Sequence, residues 1–186
     1  GTYTAVATSL AGCKYYVTTE VLGSSPAIVE AVVTTLAFAE EHIIESVAIG
    51  TGDYEYSLDD GPWQLDGTFI DVSAGLHTIT VRDLNGCGIG TKTVLVIDYP
   101  RFFTPNGDGY NDTWQITGIN TRPLSKIYIF DRQGKLLKQL SPLSEGWDGT
   151  YNGRALPATD YWFTVQYEEP GTEIIKTLRA HFSLKR

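Results

Sequence analysis

Hydrophobic and polar residues alternate along most of this chain with the period of strands. In residues 75–83, Leu76, Thr78, Thr80 and Arg82 alternate with His77, Ile79, Val81 and Asp83. One face is polar and the other largely apolar, which marks a half-buried strand rather than a helix. Further on, Tyr161, Phe163, Val165 and Tyr167 share a face. After the Pro170-Gly171 turn, Ile175, Thr177, Arg179, His181 and Ser183 face away from Ile174, Lys176, Leu178, Ala180, Phe182 and Leu184. The run KIYIFD leads through RQG to KLLKQL, the pattern of a hairpin. The stretch EAVVTTLAFAEEHI (30–43) has some helical propensity, but its Val-Val-Thr-Thr centre is β-branched, so strand is expected.

Turn residues punctuate these runs. Asp60-Gly61 and Asn85-Gly86 predict tight hairpins. The spacing of short strands across residues 26–98 is that of an immunoglobulin-like sandwich. The front of the chain repeats a later segment. GTYTAVATSLAGC (1–13) lines up with GLHTITVRDLNGC (75–87), so that Gly1 falls on Gly75, Gly12 on Gly86 and Cys13 on Cys87. The fold class expected is therefore all-β: two tandem immunoglobulin-like β-sandwich domains plus two strands left over from a preceding repeat. The expected borders are 1–22 for those strands, 23–98 for the repeat, with GSSPA (23–27) as linker, and 99–186 for the last domain.

Charge changes the picture at one point. Residues 1–98 carry 3 Lys and Arg against 13 Asp and Glu, whereas residues 99–186 carry 11 against 9. The acidic front argues against nucleic acid, and the shift coincides with the predicted domain border. No apolar run approaches the roughly 20 residues that span a bilayer as a helix. The chain begins at Gly1, contains no Met and shows no signal peptide. It reads as an internal or C-terminal piece of a larger protein, so a missing targeting signal says nothing about the whole.

Catalytic chemistry finds little support. His42, His77 and His181 each fall in a strand pattern, away from a nucleophile in a turn. There is no G-x-S-x-G elbow, H-E-x-x-H or phosphate loop. Glu168-Glu169 flank a turn and read as solvated. Cys13 and Cys87 hold equivalent positions in successive repeats, too far apart for a disulfide. One stretch stands out: YPRFFTPNGDGYNDTW (99–114). Asn106, Asp108, the Tyr110 carbonyl and Asp112 fall at alternate positions, as oxygen ligands do when a short loop wraps Ca²⁺. Thr117 and Asn111 depart from the EF-hand pattern, and a further ligand would come from Asp131 or Asp148. The alternative is a pair of turns whose Asn and Asp side chains satisfy their own backbone.

FFTPNGDGYNDTW, followed by IYIFDRQGKLL, GWDGTYNGRALP, DYWFTVQY and HFSLKR, resembles the gliding motility-associated C-terminal domain. That is the type B sorting domain of the type IX secretion system in Bacteroidota. The resemblance covers about Tyr99 to Arg186. Small departures are Gln133 in place of a common aromatic, Thr159-Asp160 in place of a Gly-Thr, and Ala180 in place of a frequent Gly. The upstream segment resembles the immunoglobulin-like repeats that precede such domains. The resemblance implies a non-enzymatic role: an address that takes a large adhesin-like protein through the outer membrane. It implies outer-membrane export components as partners, a surface or extracellular destination and no small-molecule substrate. Phe182, Leu184, Lys185 and Arg186, in the last predicted strand, are the residues expected to be recognised. The competing reading is a carbohydrate- or protein-binding adhesion module, with Trp63, Trp114, Trp147 or Trp162 as stacking platforms.

Overall fold

The computed structural model describes residues 1–186 except 22, 24, 87 and 173. Among the described residues there is no α-helix. The expected all-β class is what the chain adopts. β1 (Thr2–Thr8) and β2 (Lys14–Glu20) form an antiparallel hairpin, in register from Thr2 opposite Glu20 to Thr8 opposite Lys14. Every residue of both strands is exposed. Cys13, just before β2, is exposed and free. Cys87, its expected equivalent, lies outside the described residues.

The next strands build two three-stranded sheets of the immunoglobulin-like kind. One has the order β3 (Ile28–Val33), β4 (Ile44–Ile49), β6 (Thr68–Phe69). The other has the order β5 (Tyr54–Leu58), β7 (Gly75–Asp83), β8 (Ile89–Val96). The alternation read in β7 holds: His77, Ile79, Val81 and Asp83 are buried. The stretch 30–43 forms no helix, but it is strand only as far as Val33. Beyond β3 it turns, with Phe38 in the left-handed region at φ 65°. His42 consequently lies in irregular backbone just ahead of β4 and not in a strand. The predicted turn at Asp60-Gly61 is present but shifted by one residue. Asp59 and Asp60 carry the positive φ values, and Gly61 N–H closes on the Leu58 carbonyl at 2.8 Å.

The rest of the chain forms a five-stranded sheet with a small hairpin beside it. The strands are β9 (Phe102–Phe103), β10 (Lys126–Phe130), β11 (Leu136–Leu140), β14 (Asp160–Glu168) and β15 (Ile175–Leu184). β12 (Thr150–Tyr151) and β13 (Arg154–Ala155) pair with each other. The sheet order is β11-β10-β14-β15-β9, antiparallel except for the parallel β15–β9 contact. The hairpin predicted at RQG is β10–β11. Its turn is held by Asp131, whose Oδ1 accepts the N–H groups of Gln133 and Lys135. The shared face of β14 is the inner one: Tyr161, Phe163, Val165 and Tyr167 are all buried.

The chain divides into two compact units. One comprises Gly1–Glu30, Ser46–Gly67 and Ile79–Lys92; the other comprises Ala31–Glu45, Thr68–Thr78 and Thr93–Arg186. Within the first, Arg82 pairs with Glu55 at 2.7 Å and lies 4.0 Å over the Trp63 ring. Within the second, one continuous aromatic and aliphatic core runs from Ile97 to Leu184. Burying rings of this size stabilises by about 2–3 kcal/mol each, so this core dominates the unit.

Glu169 corrects an expectation. It is buried, not solvated. Strand alternation continues past Tyr167 and turns Glu169 inward. There it accepts the Ala37 N–H at 2.8 Å and the Tyr167 hydroxyl at 3.1 Å, and its Oε2 lies 3.2 Å from the Lys176 ammonium. Phe38 packs edge-on against Tyr167, with ring centroids 4.9 Å apart.

Candidate recognition site

The PNGDGYND loop leaves β9 and returns to the core at Trp114. It closes when Thr104 N–H donates to the Asn111 carbonyl at 2.8 Å. Asp112 organises its interior. Oδ1 accepts the N–H groups of Asn106 and Gly107 at 2.9 and 2.6 Å, and Oδ2 accepts that of Gly109 at 2.8 Å. These amides hold the Asp112 carboxyl below its ordinary pKa, Gly107 and Gly109 contributing most. Asp108 is engaged too. It takes the Tyr110 N–H on Oδ1 and the Asn106 amide on Oδ2, both at 2.8 Å. Gly107 and Gly109 have φ of 79° and 89°. No neighbouring atom crowds either position, so it is the sign of φ that requires glycine.

The structure thus brings Asn106, Asp108 and Asp112 together, with the Tyr110 side chain out in solvent. Their oxygens face amide hydrogens of the same loop, an arrangement that offsets carboxylate charge without a cation. Asp131 and Asp148, considered as further ligands, accept hydrogen bonds within their own turns. Among the described residues no group of three or more His, Cys, Asp or Glu is placed to hold a metal.

The loop is anchored by tryptophan. Trp114 and Trp147 exchange two backbone hydrogen bonds, each 2.9 Å. Trp114 Nε1–H donates to the Pro100 carbonyl and Trp147 Nε1–H to that of Thr150, both at 2.8 Å. Both indoles are buried, so neither is a stacking platform. Trp63 lies beneath Arg82. Trp162, 42% exposed, stands on the outer face of β14 beside His181.

β15 supplies the remaining expected residues. Phe182 and Leu184 are fully buried, and a partner could touch them only if the strand left the sheet. Gly149, at φ 76°, lies so close that an added Cβ would meet Leu184 Cδ1 at 2.6 Å. Lys185 and Arg186 are exposed, with the Lys185 ammonium 4.1 Å from the Phe102 ring centre.

Residues 97–178 match the family model described as the CHU_C Type IX secretion signal domain. This segment belongs to the type IX secretion signals. The likeness read from the motifs is thereby borne out over most of the last domain. The signal marks an exported protein and implies contact with the secretion machinery; its family is one of addresses, not of enzymes. No curated protein matches the chain. Among solved structures, one match is the crystal structure of dimeric latent PorU from Porphyromonas gingivalis. It is 14% identical with a TM-score of 0.29, covering 84% of this chain and 20% of that one. Another is the BSP domain of a biofilm associated protein, 15% identical with a TM-score of 0.25, covering 83% of this chain and 29% of that one. This chain spans less than a third of either structure, and overlaps this loose bear on neither its fold nor its role.

Sequence reasoning singled out the loop but missed Glu169 and Ala37. They lie 132 residues apart, and no local pattern joins them.

Proposed function

We propose that residues 99–186 form the sorting address of a large, adhesin-like surface protein of a Bacteroidota cell. Outer-membrane components of the type IX machinery read it during passage to the surface. Residues 23–98 serve as an immunoglobulin-like stalk module, and residues 1–22 complete a preceding repeat. The observation that carries this reading is the family match over residues 97–178. A folded sheet with a stapled loop suits an address, because it offers a receptor fixed backbone edges and side chains. Calcium at Asn106, Asp108, Tyr110 and Asp112 is a separate proposal. It rests on the alternation of oxygen-bearing positions, and a cation would have to displace the amides now bound by Asp112.

The test is a fusion of the whole chain behind a foreign periplasmic reporter, in a host with the type IX machinery. Surface display of the reporter supports the address. Retention in the periplasm, with a folded fusion, overturns it. Binding of the same fusion to a glycan array without display would favour the adhesion-module reading.

A further inference from the structure

β15 is ten residues long, but it has a partner on both sides only at its end. β14 pairs with it from Glu168 opposite Ile175 to Asp160 opposite Ser183. β9 covers the other side only at Ser183 and Leu184. The direction of the backbone groups follows from two bonds. Ser183 N–H donates to the Arg101 carbonyl, on the β9 side, whereas Leu184 N–H donates to the Thr159 carbonyl, on the β14 side. Strand geometry alternates these directions. The N–H and C=O groups of Ile175, Thr177, Arg179 and His181 therefore point away from β14. Among the described residues, nothing pairs with them. The side chains of all these residues are exposed.

An open edge of about 20 Å, at roughly 3.3 Å per residue, is the template on which another chain can add a strand. Proteins ordinarily guard such an edge with a bulge, a proline or a free lysine. Here the register of β15 is unbroken, it contains no proline, and Lys176 is drawn inward to Glu169. Arg179 remains, exposed and, among the described residues, without an ion pair. On the inner side of the strand, Leu178 and Ala180 are only partly covered, at the margin of the core.

A second copy of this chain is a poor occupant. Antiparallel pairing of two β15 edges would bring the Arg179 of both copies to one seam, and like charges across a strand pair are unfavourable. We propose that the outward edge of β15, from Ile175 to His181, is where an extended, acidic strand of the export apparatus adds to the sheet. Backbone bonds supply the affinity in this mode, and side chains at alternate positions supply the choice of partner. The incoming strand sets an acidic residue against Arg179 and apolar residues against Leu178 and Ala180. This inference rests on the sorting role and names the surface that performs it.

Two measurements on the whole chain test it. The first is amide hydrogen exchange of the free protein. Thr177, Arg179 and His181 should exchange fast, while Leu178 and Ala180, bonded into β14, should be protected. Slow exchange at the first set means the edge is already covered and overturns the proposal. The second is surface display of the reporter fusion carrying Thr177→Pro. Proline there removes one outward N–H and leaves the ladder to β14 intact. Display should fall by about tenfold or more, while Thr177→Val, which keeps the N–H, should display normally. A folded Thr177→Pro variant displayed like the unsubstituted chain overturns the proposal. If the proline variant does not fold, Arg179→Glu decides. Its side chain is exposed, and charge reversal should lower display; full display overturns the proposal. Failure of the unsubstituted fusion to reach the surface defeats the sorting role instead, and the exchange rates still judge the edge.

Discussion

The Trp114 indole lies flat on the Phe182 ring, with centroids 4.0 Å apart and planes 12° from parallel. This contact joins the end of the PNGDGYND loop to β15. Phe163 completes the group, 4.8 Å from Trp114. A loop that is itself exposed thus depends on β15, the last strand in chain order.

Phe182→Ala should destabilise the second unit by about 3–5 kcal/mol, the cost of emptying an aromatic site in a packed core. Urea denaturation followed by tryptophan fluorescence measures it. Deletion of Ala180 to Arg186 should abolish both the transition and surface display. A truncated chain that is displayed normally would show the strand to be dispensable.

Asp112→Ala should lower the melting temperature more than Asp108→Ala, because Asp112 holds the amides of three residues. The dependence on pH follows from its depressed pKa. Above the ordinary carboxylate range near 3.9 the contribution is complete. It disappears as the pH falls through the lower, folded-state value. Wild type should therefore lose stability in acid more steeply than Asp112→Asn. Melting in EDTA and in millimolar calcium tests the ion on the same samples. Identical curves for wild type leave the amides alone in charge of the loop, whereas a rise in calcium that Asp108→Ala lacks establishes the cation.

Alkali should unfold the protein through Tyr167. Burial first, then the adjoining Glu169 carboxylate, raise its phenol well above 10. Burial also raises Tyr99 and Tyr161. The unfolded chain releases these protons near pH 10 while the folded chain keeps them, so stability falls as the pH rises past 10. A titration of tyrosinate absorbance should show these phenols ionising together with unfolding. Tyr167→Phe should flatten that loss.

Much of this was legible in the sequence, and the reason is period. β7 and β14 bury alternate residues for their whole length, and β15 alternates exposed with covered positions, so a single segment reveals both faces. The loop was legible as chemistry but not as geometry. Asn106, Asp108 and Asp112 announce oxygen atoms, yet the sequence does not say whether a cation or the amides of Gly107 and Gly109 will meet them. Glu169 was illegible. A carboxylate beside Pro170-Gly171 reads as exposed until Ala37 and Lys176 are seen to satisfy it.

Glu169→Ala should cost about 1–3 kcal/mol, because it leaves the Ala37 N–H and the buried Tyr167 hydroxyl without their acceptor. Glu169→Gln, which can still accept the Ala37 N–H, should cost less. Equal denaturation midpoints for the two variants would mean that the charge, and not the hydrogen bond, carries the contact.

The bond from Ala37 to Glu169, with Phe38 against Tyr167, bears on how such addresses travel between proteins. A signal that were wholly portable could be cut at its border and grafted onto any cargo. Here part of the wrapping for Tyr167 and Glu169 belongs to a stretch spelled far upstream, ahead of β4. A graft taken from residue 99 onward would carry an aromatic ring and a carboxylate stripped of their cover. Gene rearrangements that shuffle this address among cargoes should therefore inherit the loop around Phe38 with it, and the heritable unit is longer than the stretch that carries the family's motifs.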